Sequence, residues 1–263
     1  MAQADAKTDQ RLESSRKVFE SFSNLTEQAI PTWLLERAYG IVVVPGVVKV
    51  ALSLGGRGGR GVMAVRNPDG SWSDPVFVTL AGVNFGLQFG VQSTDVVLVL
   101  MSRQSVEGIS GGKVTLGGDA SVAAGPLGRS ASANTDATFK AQVLSYSRSE
   151  GLFAGVALDG SVIAIDDGSN ATAYGVSGVL PSQILEGKIA SAPQAALDFK
   201  AALTRATTAA TATTPPTAPS SVAVGAAAAE PATPPAAPAS AAPEAGATTY
   251  PMEDPNPGAP PPK

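Results

Sequence analysis

The sequence predicts an α+β protein: a mainly antiparallel, strongly curved or barrel-like β-sheet with N-terminal amphipathic helices, short C-terminal helices and a disordered tail. Three observations predict this architecture. Helical periodicity lies mainly at the two ends of residues 1–205. Short β-branched runs separated by Gly, Pro, Asn and Asp fill the middle, and glycines inside those runs indicate curvature. From Ala206 onward the chain is mostly Ala, Pro and Thr.

Two helices are predicted before the sheet. From Thr8 to Ile30 the apolar residues recur on one broad face, with charged residues opposite. Thr8 or Asp9 can cap the start of this helix, and Pro31 ends it. Pro31 also suits the first turn of a second, short helix that stops at Gly40.

After Gly40 the pattern becomes that of strands. The runs are IVVVP, VVKVALSL, GVMAVR, PVFVTL, VNFGLQFGV and DVVLVLM. Hairpin turns are predicted at Asn67-Pro68-Asp69-Gly70, at Asp159-Gly160 and at Asp167-Gly168.

The second half of the folded part continues the strand series after a short helix over Ser102 to Ile109. Further strands are predicted in KVTLGGDASVAAG, ATFKAQVLSYSRS, GLFAGVALDGS and VIAID. Helices over Gln183 to Ala190 and Gln194 to Arg205 complete one domain, residues 1–205.

The C-terminal segment, residues 206–263, has a different composition. It holds 14 of the 21 prolines and no Trp or Phe. Such a segment cannot bury enough apolar surface to offset its chain entropy, so we expect a disordered tail.

Charge and composition exclude several classes of function. Residues 1–205 carry 17 basic and 18 acidic side chains, and this balance disfavours nucleic-acid binding. The absence of Cys and His removes thiolate and imidazole catalysis and the usual zinc ligands, and no carboxylate pair has a compelling spacing, so a non-enzymatic protein is predicted. No apolar run reaches the about 18 residues of a spanning helix.

Three motifs resemble catalytic or cofactor sites only in their letters. Gly56 to Gly61 spells G-x-G-x-x-G, but a strand and a hairpin turn follow it where a dinucleotide site requires a helix. We expect a Gly-rich connection between strands there. Ser110 occupies the nucleophile position of G-x-S-x-G without any histidine to activate it. Asp159 and Asp166 lack the spacing of a calcium loop, so no cofactor or metal is predicted.

The first helix allows two interpretations. One is a helix that packs on the sheet through its apolar face. The other is a membrane-surface helix, with aromatic side chains among the acyl chains and basic ones at the headgroups. In that second interpretation the apolar inserts are Phe19, Phe22 and Trp33, and the headgroup contacts are Arg11, Arg16 and Lys17.

A second basic patch is predicted, formed by Lys49, Arg57, Arg60 and Lys113, with Arg57 and Arg60 in the Gly-rich connection. Surface cations near an anionic membrane each contribute on the order of 1 kcal/mol, so several together support weak, salt-sensitive binding.

Four separated blocks resemble, in order and spacing, the SYLF domain. They are LLERAYGIVVVPGVVKVALSLGGRGGRGVM, PVFVTLAGVNFGLQFGVQSTDVVLVLMS, GGDASVAAGPLG and LSYSRSEGLFAGVALDGSVI, which together cover roughly Leu34 to Gly175. The resemblance implies a lipid-binding module. Eukaryotic members bind phosphoinositides through an amphipathic N-terminal segment, fungal members also bind actin, and bacterial members are often envelope proteins.

These observations predict a non-enzymatic module that recognises anionic phospholipid or phosphoinositide headgroups at a membrane surface. The alternative is a structural envelope protein that uses its Pro-Ala tail as a tether or as a docking segment for a protein partner. Ala2-Gln3-Ala4 resembles the site left by signal-peptide cleavage. We therefore expect a periplasmic or envelope location, with the cytoplasm as the second choice.

Overall fold

Two unusually long strands organise the computed structural model, which describes residues 2–23, 30–126, 141–149, 152–155 and 158–211. The helices are α1 (Ala2–Ser23), α2 (Thr32–Arg37), α3 (Arg103–Ser110), α4 (Asp167–Tyr174), α5 (Pro181–Leu185) and α6 (Gln194–Thr211). The strands are β1 (Gly40–Val65), β2 (Val76–Leu100), β3 (Lys113–Thr115), β4 (Val122–Ala124), β5 (Val143–Ser149), β6 (Leu152–Gly155) and β7 (Ser161–Ile165).

β1 and β2 form one antiparallel ribbon of 26 and 25 residues. Its register runs from Met63 opposite Val76 to Gly40 opposite Leu100, with irregularities near Val44 and Ala51. The turn that joins the strands is the predicted one, since the Asn67 amide donates to the Ser71 carbonyl at 2.8 Å. The six short strands predicted from Gly40 to Met101 are therefore two continuous ones.

Glycines inside β1 let this ribbon curl back on itself. A Cβ on Gly59 would lie 2.7 Å from Val44 Cγ1 and 2.9 Å from Val47 Cγ2, and one on Gly61 would collide with the Val43 carbonyl. The second half of β1 thus lies directly against the first half. Gly56 to Gly61 is part of a strand, which corrects the prediction of a connecting loop; the glycines permit close backbone approach.

β2 is the centre of the curled, half-barrel sheet. β1 covers one edge of β2 along most of its length, while β7 and β5 pair with successive parts of the other edge. β3 extends β7 and β6 extends β5 in antiparallel fashion, and β4 joins β5 as a parallel strand. The predicted fold class, α+β with a mainly antiparallel and strongly curved sheet, is confirmed.

The sheet has two faces, which we define by β1. The inner face is the one on which Gly59 and Gly61 contact the first half of β1; the outer face carries the alternate residues, including Arg60 and Val62. Helices α1, α4 and α6 pack together at the Val62 and Phe77 end of the outer face. Among the described residues, no helix combines the length and apolarity needed to cross a membrane.

The helix boundaries differ from the predicted ones in informative ways. α1 begins at Ala2, and residues 24–29 of the predicted helix lie outside the described residues. The predicted turn at Asp167-Gly168 is wrong, because Asp166 caps α4 there by accepting a hydrogen bond from the Ser169 amide. α6 continues to Thr211, beyond the predicted domain end at Arg205, and the rest of the predicted tail lies outside the described residues.

Candidate functional site

The three cations of α1 that were predicted to contact headgroups, Arg11, Arg16 and Lys17, are all engaged within the protein. The Arg11 guanidinium pairs with Asp166 at 2.9 Å and lies 5.2 Å from the centroid of the Phe77 ring. Arg16 pairs with Glu20 at 2.8 Å and Lys17 with Glu13 at 2.7 Å. The largest influence on the pKa of Asp166 is burial, which raises it, but hydrogen bonds from Ser169 and Arg11 leave that pKa below its ordinary value.

The aromatic residues of α1 belong to the core. Phe19 and Phe22 are fully buried, and the Phe19 ring meets the Phe199 ring of α6 edge-on, with their centroids 6.5 Å apart. This placement corrects their interpretation as membrane inserts, because neither ring can reach an acyl chain while α1 is docked. Trp33 of α2 is half-buried and also packs against the core. The sheet-packing interpretation of α1 describes the structure.

On the sheet, two of the predicted cations share one row of the outer face. Arg60 of β1 lies opposite Thr79 of β2, Thr79 opposite Ala164 of β7, and Ala164 opposite Lys113 of β3. Directly paired residues present their side chains on the same face of a sheet. Four strands therefore place Arg60 and Lys113 on one surface, about 14 Å apart at a strand spacing of about 4.8 Å.

Both of these side chains are exposed, and neither forms an ion pair within the described part of the chain. One carboxylate, Asp119, lies near Lys113. The pKa of Asp119 is lowered mainly by hydrogen bonds from Thr115, with a smaller contribution from Lys113. The Asp119 carboxylate accepts from the Thr115 amide at 2.8 Å, so its position is fixed by the turn after β3.

Small and apolar residues continue this surface. The next row contains Gly58, Ala81, Val162 and Thr115. Beyond it, Val83 lies opposite Gly56 and is 60% exposed. This part of the outer face thus carries two cations in one row and an exposed valine beyond the next row.

The other two cations of the predicted patch lie elsewhere. Arg57 lies one residue before Gly58 and three before Arg60, so its side chain is on the opposite, inner face of β1. It is half-buried there, in the row that contains Gly82 and Ser161. Lys49 lies opposite Gln92 in the first half of β1, exposed between Val48 and Val50, which are 43% and 38% exposed. The prediction that four cations form one patch is therefore wrong: Arg60 and Lys113 share a surface, and Arg57 does not.

A second cluster of cations was not predicted. Arg37 at the end of α2, Arg66 after β1 and Arg103 at the start of α3 line one cleft of about 260 Å³, together with the half-exposed Tyr39. The three arginines are far apart in the sequence and follow no motif. Only the pairing of β1 with β2 brings them together, so the sequence carries no local signal for this cleft.

Comparison with known proteins identifies the family. Residues 81–206 match the Ysc84 family, described as "Las17-binding protein actin regulator". Residues 81–206 therefore form a domain of this family, the SYLF-domain proteins. The family is one of lipid-binding and actin-regulatory domains, and its description is that of a binding protein rather than an enzyme.

The SYLF domain of this chain is similar to domains of larger eukaryotic proteins. Protein YSC84 of Saccharomyces cerevisiae is 41% identical over 172 residues, which cover 64% of this chain and 36% of the yeast protein. LAS seventeen-binding protein 3 of the same yeast is 40% identical over 170 residues, 64% of this chain and 37% of that protein. Human SH3 domain-containing YSC84-like protein 1 is 37% identical over 153 residues, 56% and 44% of the two chains. The chain thus spans about two fifths of the length of these curated relatives.

Proposed function

We propose that this SYLF protein binds anionic phospholipid surfaces through the outer face of its sheet. The observation that carries the proposal is the row that joins Arg60 to Lys113 across four strands, with both cations exposed. The neighbouring row of small and apolar residues lets a layer of headgroups approach these cations, and Val83 supplies an exposed apolar side chain on the same face.

The expected affinity is weak and sensitive to salt. Each Lys or Arg near an anionic membrane contributes on the order of 1 kcal/mol, so two cations contribute about 2 kcal/mol. Screening within about 8 Å at physiological ionic strength removes much of this attraction. Lys49, with exposed valines on both sides, can add a further contact where the membrane reaches the first half of β1.

Anionic charge, rather than one headgroup, is the feature that this surface recognises. The two cations stand at the ends of one row that crosses four strands, and such an arrangement suits phosphatidylglycerol and phosphoinositides alike. In the docked state α1 adds no apolar insert, because Phe19 and Phe22 are in the core. An envelope or periplasmic location remains part of the proposal, and fractionation of the native cell tests it.

The test is flotation with liposomes. The wild-type protein is expected to float with vesicles that contain phosphatidylglycerol or phosphoinositide, more at low salt than at high salt, and to bind neutral phosphatidylcholine poorly. The double variant Arg60→Gln/Lys113→Gln should lose most of this binding. The matched control Lys7→Gln/Lys188→Gln removes the same charge from exposed positions outside the row and should bind as the wild type does.

Two results would overturn the proposal. One is equal binding of the wild type to neutral and anionic vesicles, or to neither. The other is an equal loss of binding in the two double variants, since that result would indicate net charge rather than the outer face.

Protein binding is the second candidate function, and the family description favours it. The named relatives include a LAS seventeen-binding protein, and a proline-rich segment such as residues 206–263 is a common docking element for protein domains. Co-sedimentation with actin filaments, with and without residues 212–263, tests this function. Pelleting of the full chain alone would assign the interaction to the tail.

A further inference from the structure

The cleft formed by α2, the β1–β2 turn and α3 is lined by three guanidinium groups and one aromatic ring. Arg37, Arg66 and Arg103 supply the cations, Tyr39 the ring, and Glu36 the single carboxylate. The volume of about 260 Å³ is slightly below the range of drug-sized pockets, about 300–1,000 Å³, and suits a small headgroup.

Arg66 forms the fixed floor of this cleft. Its Nη2 donates to the Leu35 carbonyl at 2.8 Å, its Nε to the Ala38 carbonyl at 3.2 Å and its Nη1 to the Gly70 carbonyl at 3.3 Å. The guanidinium also stacks over Trp72, 4.6 Å from the ring centroid. These contacts join α2 to the β1–β2 turn, and they hold one positive charge in place before any ligand arrives.

Burial lowers the pKa of Arg66, and the charge of Glu36 raises it. The guanidinium is therefore a partly desolvated cation, and one neighbouring carboxylate only partly compensates its charge. An anion that entered the cleft would add the compensation that water no longer supplies.

Arg103 lies at a position where a positive charge does not stabilise the helix. It is the first residue of α3, directly after the capping residue Ser102, where the helix dipole disfavours a positive charge. Glu107 follows one turn later, yet within the described part of the chain the two form no ion pair. The Arg103 guanidinium instead lies 5.8 Å from the centroid of the Tyr39 ring, at the wall of the cleft.

Arg37, in the last turn of α2, completes the set. It is exposed, and no described carboxylate pairs with it. Guanidinium groups bind phosphate and carboxylate through two parallel hydrogen bonds, and three of them around one cleft favour a multiply charged group. The half-exposed Tyr39 adds an apolar wall for the carbon skeleton that carries this group.

We infer that the Arg37–Arg66–Arg103 cleft binds a phosphomonoester, carried either by a lipid headgroup or by a soluble organic phosphate. This site is separate from the outer face of the sheet proposed above. It differs in kind as well, because it is a cleft lined by three guanidinium groups and the outer face is one side of a sheet.

Calorimetric titration of the full chain with inositol trisphosphate, with inorganic phosphate as the minimal probe, tests the inference. One saturable site is expected. Arg37→Gln/Arg103→Gln should weaken binding about tenfold or more, whereas Lys7→Gln/Lys188→Gln, with the same change of charge at exposed positions outside both sites, should leave the affinity unchanged. Arg37→Lys/Arg103→Lys keeps the charge, and an intermediate loss is expected because the planar donor pairs are gone. Thermal melting of each variant verifies folding.

A competition arm identifies the source of the phosphate. Inositol trisphosphate that displaces the protein from phosphoinositide vesicles, but not from phosphatidylglycerol vesicles, would assign the cleft to a lipid headgroup. Saturable binding in solution without displacement would assign it to a soluble organic phosphate. The inference is overturned if no saturable binding occurs, or if the Arg37/Arg103 and Lys7/Lys188 variants lose equal affinity.

Discussion

Two basic regions of this protein, the helix α1 and the outer face of the sheet, look alike in sequence and differ in structure. On α1, Arg11, Arg16 and Lys17 each pair with a carboxylate, and the apolar side of the helix is buried. On the outer face, Arg60 and Lys113 are exposed and form no ion pair with a described residue.

The difference shows that the availability of a cation depends on its surroundings in three dimensions. Glu13 and Glu20 lie one helical turn from Lys17 and Arg16, at a spacing that brings the side chains together on a helix. Asp166, the partner of Arg11, comes from a distant part of the chain. On the sheet the cross-strand partners of Arg60 and Lys113 are Thr79 and Ala164, which carry no charge, and Asp119 near Lys113 forms no ion pair with it.

The largest expected effect concerns the core role of α1. Phe19→Ala should destabilise the protein by about 3–5 kcal/mol, because it empties a fully buried site against Phe199. The matched control is Leu197→Ala on the exposed side of α6, expected within about 0.5 kcal/mol. Urea unfolding measures both. Similar small effects would mean that α1 is not docked in solution and would restore the membrane-helix interpretation.

The next effect distinguishes the two faces of β1. Gly61→Ala should destabilise by about 1–3 kcal/mol, since the new methyl group collides with the backbone of Val43. Gly58→Ala faces outward, where the nearest atom is 3.8 Å away, and it should be neutral or stabilising because a strand glycine loses more entropy on folding. Thermal melts of the two variants compare them. A Gly61 variant as stable as the Gly58 variant would contradict the close approach within β1.

An effect of similar size is expected at the partly buried ion pair of α1. Arg11→Gln should cost about 1–3 kcal/mol at neutral pH, because Asp166 loses a charged hydrogen-bond partner. In the wild type the pKa of Asp166 is below its ordinary 3.8, so this stabilisation is present above about pH 4 and is lost as the pH falls through the folded pKa.

Stability measured against pH tests this assignment. The variant should lose less stability on acidification than the wild type does, because its Asp166 pKa lies closer to the unfolded value. The control is Lys17→Gln, at an ion pair whose two side chains are more than half exposed, and little change is expected there. Parallel curves for wild type and Arg11→Gln would contradict the assignment.

The smallest effect on stability is expected on the outer face. Arg60→Gln/Lys113→Gln removes two exposed cations without described ion-pair partners, so unfolding should change by no more than about 0.5 kcal/mol. A larger decrease in the free energy of unfolding, measured with urea, would indicate that this row stabilises the sheet. The cations of the outer face would then have a structural role, as those of α1 have.

The sequence predicts the order and type of most elements, because apolar periodicity reports which local conformation buries side chains. It predicts α3 within one residue at each end and the turn at Asn67 to Gly70. It wrongly divides β1 and β2 into six short strands. The reason is that a glycine that permits close approach of two backbones looks the same in sequence as a glycine that turns the chain. The same ambiguity misplaces Asp167-Gly168, where a carboxylate that caps a helix resembles a residue of a hairpin turn.

The candidate sites are harder to predict because they depend on contacts between distant residues. Alternation along β1 separates Arg57 from Arg60, but only the knowledge that both lie in one uninterrupted strand makes this visible. The match between Arg60 and Lys113 requires the register of four strands. The Arg37, Arg66 and Arg103 cleft requires in addition the position of two helices at the ends of the ribbon.

The β1–β2 ribbon also bears on the order in which the protein folds. Counted outward from the Asn67–Gly70 turn, each pair of residues in the ribbon follows directly on the previous pair. Once one pair has formed, the loop that the next pair must close is therefore short. The ribbon can therefore zip outward from the turn, beginning at Met63 and Val76 and reaching Gly40 and Leu100 last. Gly61 can settle against Val43 only after the far end has paired, which places the curl late in folding. We expect substitutions in the turn to slow refolding, and substitutions at Gly61 chiefly to speed unfolding.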